Sequence, residues 1–419
     1  MKPLADLLVS VLKSYPSMFL NPVVSVLYLV VLALVAVQYG RLQSTEERVY
    51  GRAQNRALYQ TVVSIGLGLF GGLLASILLV VVGVTVSDSG IGYLFPVALA
   101  LFLVHPRFLC FSYAGGLISM SHLLFGWPSV NVPAIMALVA CLHAAEALLI
   151  RISGSGCTTP LYIEGKDGTV SGGFSLQRFW PIPLMVLYLV KIPSIEGMQG
   201  LIHLPDWWPL VSAPSVPGPG TPVFVTMPLV AALGYGDLSI ARSPKDKAKQ
   251  TAKTLALYSA ALLGFSVAAS HWSGFSWVAA LFAPVAHEVV IQMGAKEELE
   301  SVPYYTAAPD GVTVMDVFDR APGKRAGLAR GDVIMEVGGV PVRTREELNS
   351  ALKLSESGPI TLKVRKRKHK GVREIRVQRA DEPLGIVTAP ELGDQPIAST
   401  KSAGILLTWL RRLIQWIHR

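Results

Sequence analysis

The first 300 residues are built from long apolar runs separated by short polar breaks, with few polar residues at helical spacing inside the runs. Soluble helices interrupt such runs every turn, whereas a helix crossing a bilayer needs about 20 apolar residues in succession. Residues 22–39, 62–86, 108–125, 132–150, 255–269 and 277–292 reach or approach that length. Shorter runs at 92–104, 180–190 and 223–235 are expected to cross as well, so residues 1–300 predict a multi-span domain of about eight transmembrane helices. Residues 4–20, interrupted by Lys13 and Pro16, read as an interfacial or partly inserted helix. Gly66, Gly68, Gly71 and Gly72 predict close helix packing through small residues. Residues 41–56 read as a polar loop and 151–178 as a Gly/Ser-rich loop with a hairpin at Lys166-Asp167-Gly168. Residues 193–222, rich in Pro, Gly and Trp, suit an interfacial or re-entrant loop.

The pattern changes after residue 300. Residues 311–317 alternate as a strand, a Pro-Gly turn and a short helix over 324–329 follow, and 332–337 read as the next strand. Gly338-Gly339 marks a tight turn. Thr344 with Glu347 forms a capping box that opens a helix to about residue 354. Residues 360–366 and 373–379 read as a basic hairpin. This order, with Ala326-Gly327-Leu328 and Gly331-Asp332-Val333-Ile334, resembles the PDZ family over residues 301–390. The resemblance implies an α+β domain that binds an extended peptide as an added strand, its terminal carboxylate held by backbone amides of an apolar-Gly-apolar loop. Residues 304–309 do not match that loop, whereas Leu384-Gly385-Ile386, after the last strand, does. Residues 386–388 are therefore expected to face the peptide, with Leu348 and Leu352 of the 344–354 helix as the opposite wall. Leu384 and Ile386 either line the groove or close the domain's core.

Composition narrows the class. Hydrophobic residues make up 51% of the chain and charged residues 16%, which excludes an ordinary soluble protein. The net charge of +9 lies largely in the breaks after residues 39, 150 and 235 and in the C-terminal third. In a membrane protein such an excess reports orientation and contact with anionic lipid, not nucleic acid. These segments and the C-terminal domain are expected on the cytosolic side. Cys110, Cys141 and Cys157 fit neither a disulfide framework nor a zinc spacing.

Candidate chemistry is sparse. His287-Glu288 invites comparison with intramembrane zinc proteases, in which His-Glu-x-x-His supplies two ligands and a general base. Here Ile291 stands at the second ligand position. Gly234-Tyr235-Gly236-Asp237 lacks the Thr-Val of a potassium filter and reads as a Gly-capped helix end. The histidines at 105, 122, 143 and 203 are dispersed, and His143 with Glu146 reads as a hydrogen-bonded pair on one helical face. No catalytic residue, cofactor or metal site is expected. The basic run at 363–370 is either a solvated hairpin or a tether to anionic lipid.

Residues 391–419 read as a linker and a terminal amphipathic helix. Trp409 and Trp416 lie on its apolar face and Arg411 and Arg412 opposite, which suits the membrane interface or docking onto a protein. Gly234-Tyr235-Gly236-Asp237 with Arg242-Ser243-Pro244-Lys245, Leu257-Tyr258-Ser259 and Ala283 to Glu288, together with the C-terminal domain, make the chain similar to the MinJ-like family of division-site determinants. That resemblance implies a non-enzymatic scaffold in the cell membrane, enriched at septum and poles, whose partners are DivIVA-like and MinD-like division proteins. A divergent or inactive intramembrane metalloprotease is the alternative, and a transporter comes third.

Overall fold

The computed structural model describes residues 2–87, 89–165, 168–193, 205–212, 219–354, 358–367, 371–378, 382–396 and 398–399. The chain opens with α1 (Lys2–Ser17) and α2 (Pro22–Tyr50). Asn21 caps α2 by accepting from the N–H groups of Val23 and Val24 (3.0 and 3.3 Å), and Pro22 occupies the first turn, where its missing N–H costs nothing. The helix runs through most of the expected polar loop, because the Gln, Glu and Arg residues there are good helix formers. Gly51, at φ 71°, ends it.

Next come α3 (Ala57–Val82), α4 (Leu94–Val104), α5 (Phe111–Phe125) and α6 (Val132–Ser153). Two strands and a third follow: β1 (Thr158–Glu164), β2 (Val170–Ile192) and β3 (Thr221–Ser239). α7 (Pro244–His271) and α8 (Gly274–Glu300) complete this part. Five of these helices, α2, α3, α6, α7 and α8, are long and apolar enough to cross a membrane. The 11 residues of α4 are too few for a crossing. The chain breaks at residues 105–110 before α5 begins.

The expected crossings at 180–190 and 223–235 are not helices. They lie in β2 and β3, which pair antiparallel from Phe174–Ser239 to Ile192–Thr221. The Gly234-Tyr235-Gly236-Asp237 segment is accordingly the end of a strand and caps no helix. The predicted hairpin at 166–168 joins β1 to β2, with Gly165 N–H donating to Thr169 O (2.8 Å); residues 166 and 167 lie outside the described residues.

A strand among apolar helices must satisfy both of its edges, since an unpaired buried N–H or C=O costs several kcal/mol. On one edge β2 pairs with β3. On the other, odd-numbered residues beyond β1 meet side chains of α1, α2 and α3 and the segment that follows α3. Phe179 N–H donates to Tyr39 Oη (3.2 Å), Met185 N–H to Ser76 Oγ (2.8 Å) and Leu189 N–H to Ser87 Oγ. Pro183 O accepts from Tyr15 Oη (3.0 Å), and Leu187 O from Val86 N–H (2.9 Å). Pro181 and Pro183 carry no N–H to satisfy. The glycines of α3 make the close approach possible. A Cβ at Gly68 would overlap Pro181 O, and one at Gly72 would overlap Pro183 O. Gly71 faces Leu149 of α6, while Gly66 meets nothing within 4 Å. The small-residue face therefore receives a strand as well as a helix.

The C-terminal domain holds β4 (Val312–Val317), α9 (Pro322–Arg325), β5 (Val333–Val337), β6 (Val340–Pro341), α10 (Arg345–Leu354), β7 (Pro359–Arg365), β8 (Val372–Gln378) and β9 (Ile386–Thr388). β10 (Ala398–Ser399) runs parallel to β1 in the other sheet. The domain's sheet has the order β8-β7-β5-β4-β9, with β6 on β5. The capping box forms as expected: Glu347 N–H donates to Thr344 Oγ1 (3.1 Å) and Thr344 N–H to Glu347 Oε2 (3.3 Å). The fold is thus a helical domain with apolar spans followed by an α+β PDZ domain.

The contact of α3 with β2 makes a direct prediction. Gly72→Ala drives a methyl into backbone and should lower thermal stability by on the order of 1–3 kcal/mol. Gly66→Ala, in open space on the same helix, should stay within roughly 0.5 kcal/mol of the parent. Thermal unfolding of the two purified variants checks the difference.

Candidate functional site

β9 is the edge strand of the PDZ sheet, and a sharp turn puts it there. Gly385 sits at φ 68°, where a Cβ would overlap Ala321, so the turn needs glycine. Its carbonyl accepts from Phe318 N–H (2.9 Å), and Leu384 O accepts from Gly323 N–H (3.0 Å). Val387 then pairs with Asp316 of β4, which turns the backbone groups of Ile386 and Thr388 toward the other side. The apolar-Gly-apolar loop therefore leads into a short edge strand, as an added peptide strand requires.

The residues named from sequence divide in two. Leu348 (1% exposed), Leu352 (9%) and Leu384 (4%) belong to the domain's core, with Val312, Ile334 and Leu362. Leu348 is thus a core residue more than a groove wall: an amphipathic ten-residue helix must spend its apolar stripe on the sheet beneath it. Ile386 is half-buried against the same cluster, and Gly385 forms the turn. Trp409, Arg411, Arg412 and Trp416 lie outside the described residues.

Sequence reasoning missed the groups that close the far end of this edge. Tyr162 of β1 donates its hydroxyl to Thr388 O (2.8 Å). Arg345, at the start of α10, donates to Thr388 Oγ1 (2.8 Å), to Tyr162 Oη (3.0 Å) and to both oxygens of Asp394 (2.6 and 3.1 Å). At the near end, Arg52 from the α2–α3 connection stands beside Gly385 and over the Phe318 ring (5.7 Å). Met315, Phe318, Ala321 and Val387 share a core with the helical domain, so the PDZ domain is seated on β1, β2 and α2. Only the chain's return to β1 brings these groups together, and no local pattern announces it.

A second group converges inside the helical domain. Cys110 at the N-cap of α5, His143 of α6 and His287 of α8 have side-chain ligand atoms within 4.8 Å of one another. The histidines and cysteines that look dispersed in sequence are therefore partly gathered in space. Ser112 Oγ lies 3.3 Å from His143 Nε2 and 2.8 Å from Tyr258 Oη. Glu288 is engaged elsewhere: it accepts from Tyr113 Oη (2.6 Å) and Gln292 Nε2 (2.7 Å) and pairs with Arg107 (3.2 Å).

Burial would raise the Asp394 carboxyl, but its hydrogen bonds with Arg345 outweigh burial and hold it below the ordinary carboxylate range. A depressed folded value means the pairing contributes fully above the unfolded value and is lost as pH falls through the folded one. The amides of Ala389, which donates to Thr313 O (2.8 Å), and Glu391, which donates to Asp394 Oδ2 (2.8 Å), should therefore keep their hydrogen-exchange protection from neutral pH down to about 4 and lose it below. Arg345→Met should open the same amides at neutral pH.

A PDZ domain family model matches residues 313–366. The chain is 23% identical to the cell division topological determinant MinJ of Bacillus subtilis over 363 residues, covering 82% of this chain and 86% of that protein. It is 31% identical to the putative serine protease HhoB of Synechocystis over 99 residues, 23% of either chain. The second likeness is too partial to carry an activity across. The first extends through the helical domain and the PDZ domain alike. Over most of its length the chain is MinJ-like, with a PDZ domain toward its C-terminus.

Proposed function

We propose that the chain is a non-enzymatic, multi-pass membrane scaffold that recruits division-site proteins through its PDZ domain. The observation that carries this reading is the start of the β9 edge, where the register turns the backbone groups of Ile386 away from β4 and Arg52 stands beside Gly385. A C-terminal tail fits that place: its carboxylate meets amides and a guanidinium, and its last residues add as a strand. The Tyr162–Arg345 closure leaves room for few residues, which favours a tail over an internal loop. In this reading the partners are DivIVA-like and MinD-like division proteins and the place is the septum and poles; the similarity to a cell division topological determinant supports a role in division. The alternative, an intramembrane metalloprotease, is disfavoured because both carboxylate oxygens of Glu288 are already committed.

The PDZ domain lies on the cytosolic side in this reading. Tyr50 packs on Phe318 with centroids 5.9 Å apart, and Tyr304 N–H donates to Ile240 O (2.7 Å). The arginine-rich connection after α2 and the basic start of α7 thus share one side with the PDZ domain, and such segments prefer the cytosol.

Full-length chain in nanodiscs should capture purified DivIVA or MinD homologues from the same organism. Ile386→Glu, which puts a charge in place of the apolar side chain half-buried beside the edge, should weaken capture about tenfold or more; unchanged capture by the folded variant would show that binding occurs elsewhere. Protease applied to intact cells should spare residues 302–378, and cleavage there would place the PDZ domain outside.

A further inference from the structure

We propose that Cys110, His143 and His287 form a zinc site at the heart of the helical domain. The inference is independent of the peptide-binding reading. Cys110 Sγ lies 3.1 Å from His143 Nε2 and 3.6 Å from His287 Nε2. Zinc bound tetrahedrally, with Zn–S of about 2.3 Å and Zn–N of about 2.0–2.1 Å, sets sulfur-to-nitrogen edges of about 3.5 Å. The two observed distances bracket that value. The two sulfur-to-nitrogen edges are therefore close to coordination spacing before any ion enters, and all three ligand atoms lie within 4.8 Å of one another.

The supporting groups are those a metal site needs. His143 Nδ1 lies 2.8 Å from Val139 O, one turn back on α6. Its N–H must donate to that carbonyl, which leaves the Nε2 lone pair facing the sulfur. Cys110 accepts from Ser112 N–H (3.4 Å) at the N-terminus of the 15-residue α5. Tyr258 and Tyr113 hold the His287 ring edge-on, with centroids 5.5 and 5.3 Å away.

His287 is otherwise poorly satisfied for a buried imidazole. It is 9% exposed, its Nδ1 has no hydrogen-bond partner, and its Nε2 meets only a thiol at 3.6 Å. With the thiol proton donated to His143 Nε2, His287 Nε2–H can only donate to the sulfur, which leaves its Nδ1 lone pair without a partner. A cation accepts all three lone pairs at once.

The donor set selects the ion. One thiolate and two imidazoles suit a borderline-soft cation of flexible geometry and exclude magnesium or calcium, which take oxygen ligands. Ser112 Oγ or a water would fill the fourth position. The thiolate cancels part of the ion's charge, and Glu146, one turn along α6 from His143, is the nearest further acid on that helix. The site would pin the broken α4–α5 segment to α6 and α8.

The test uses full-length chain purified in detergent without chelators, and the metal alone as probe. Elemental analysis should find about one zinc per chain. Cobalt exchanged into the site should give visible bands of a tetrahedral ion and a thiolate-to-cobalt charge-transfer band in the near ultraviolet. That band should vanish in Cys110→Ser and survive in Cys141→Ser and Cys157→Ser. Wild-type chain that is folded yet holds less than about a tenth of an equivalent of zinc, or that binds cobalt without the thiolate band, would overturn the proposal. Because those two readings need no variant, misfolding of Cys110→Ser would not spare it. Preferential copper content would overturn it equally.

Discussion

The whole helical domain is organised around one requirement: the backbone of a strand buried among apolar helices must keep all its polar groups occupied. β2 meets much of it by pairing on one side and by recruiting hydroxyls of Tyr39, Tyr15, Ser76 and Ser87 on the other. Two prolines remove donors that would otherwise need partners. Replacing any one hydroxyl leaves a single group unsatisfied, a cost of on the order of 1–3 kcal/mol. Replacing the strand by a helix would instead strand the four hydroxyls and overfill the space that the α3 glycines keep open.

The same hairpin carries the domain-to-domain coupling. β1 and the start of β2 meet the PDZ domain through Tyr162, Phe174 and the bridge between Gly172 and Tyr305. Arg330 shows how closely the two are joined. It forms a two-point pair with Asp316 (2.7 and 3.0 Å), lies over the Phe174 ring at 4.5 Å and donates to Thr158 Oγ1 (3.0 Å). Burial pushes the Asp316 carboxyl above the ordinary range, and Arg330 partly offsets that push. The β9 edge is therefore set by the attitude of the PDZ domain on β1, beyond its own fold.

Elements with local signatures were legible in the sequence. The capping box of α10, the Gly-Gly turn, the β7–β8 hairpin and the glycine turn before β9 each follow from residues a few positions apart. The apolar runs likewise announced the five long helices. The runs at 180–190 and 223–235 were misread because a short apolar stretch without alternation has no period that separates a buried strand from a helix. Pro181, Pro183 and Pro228 were the available clue, since a helix interior tolerates proline poorly and a strand edge tolerates it well. Cys110 is 33 positions from His143 and 177 from His287. Such a grouping has no spacing to read, because tertiary packing alone creates it.

β3 closes the hairpin's sheet, and among the described residues no further strand follows it. The register that turns odd residues of β2 toward the helices also turns Phe224, Thr226, Val230, Ala232 and Gly234 of β3 the opposite way, with their N–H and C=O groups directed outward. Hydrocarbon offers nothing to such a row. In a bilayer the belt of lipid around this domain would be interrupted along that line, with water or another polypeptide standing in the gap.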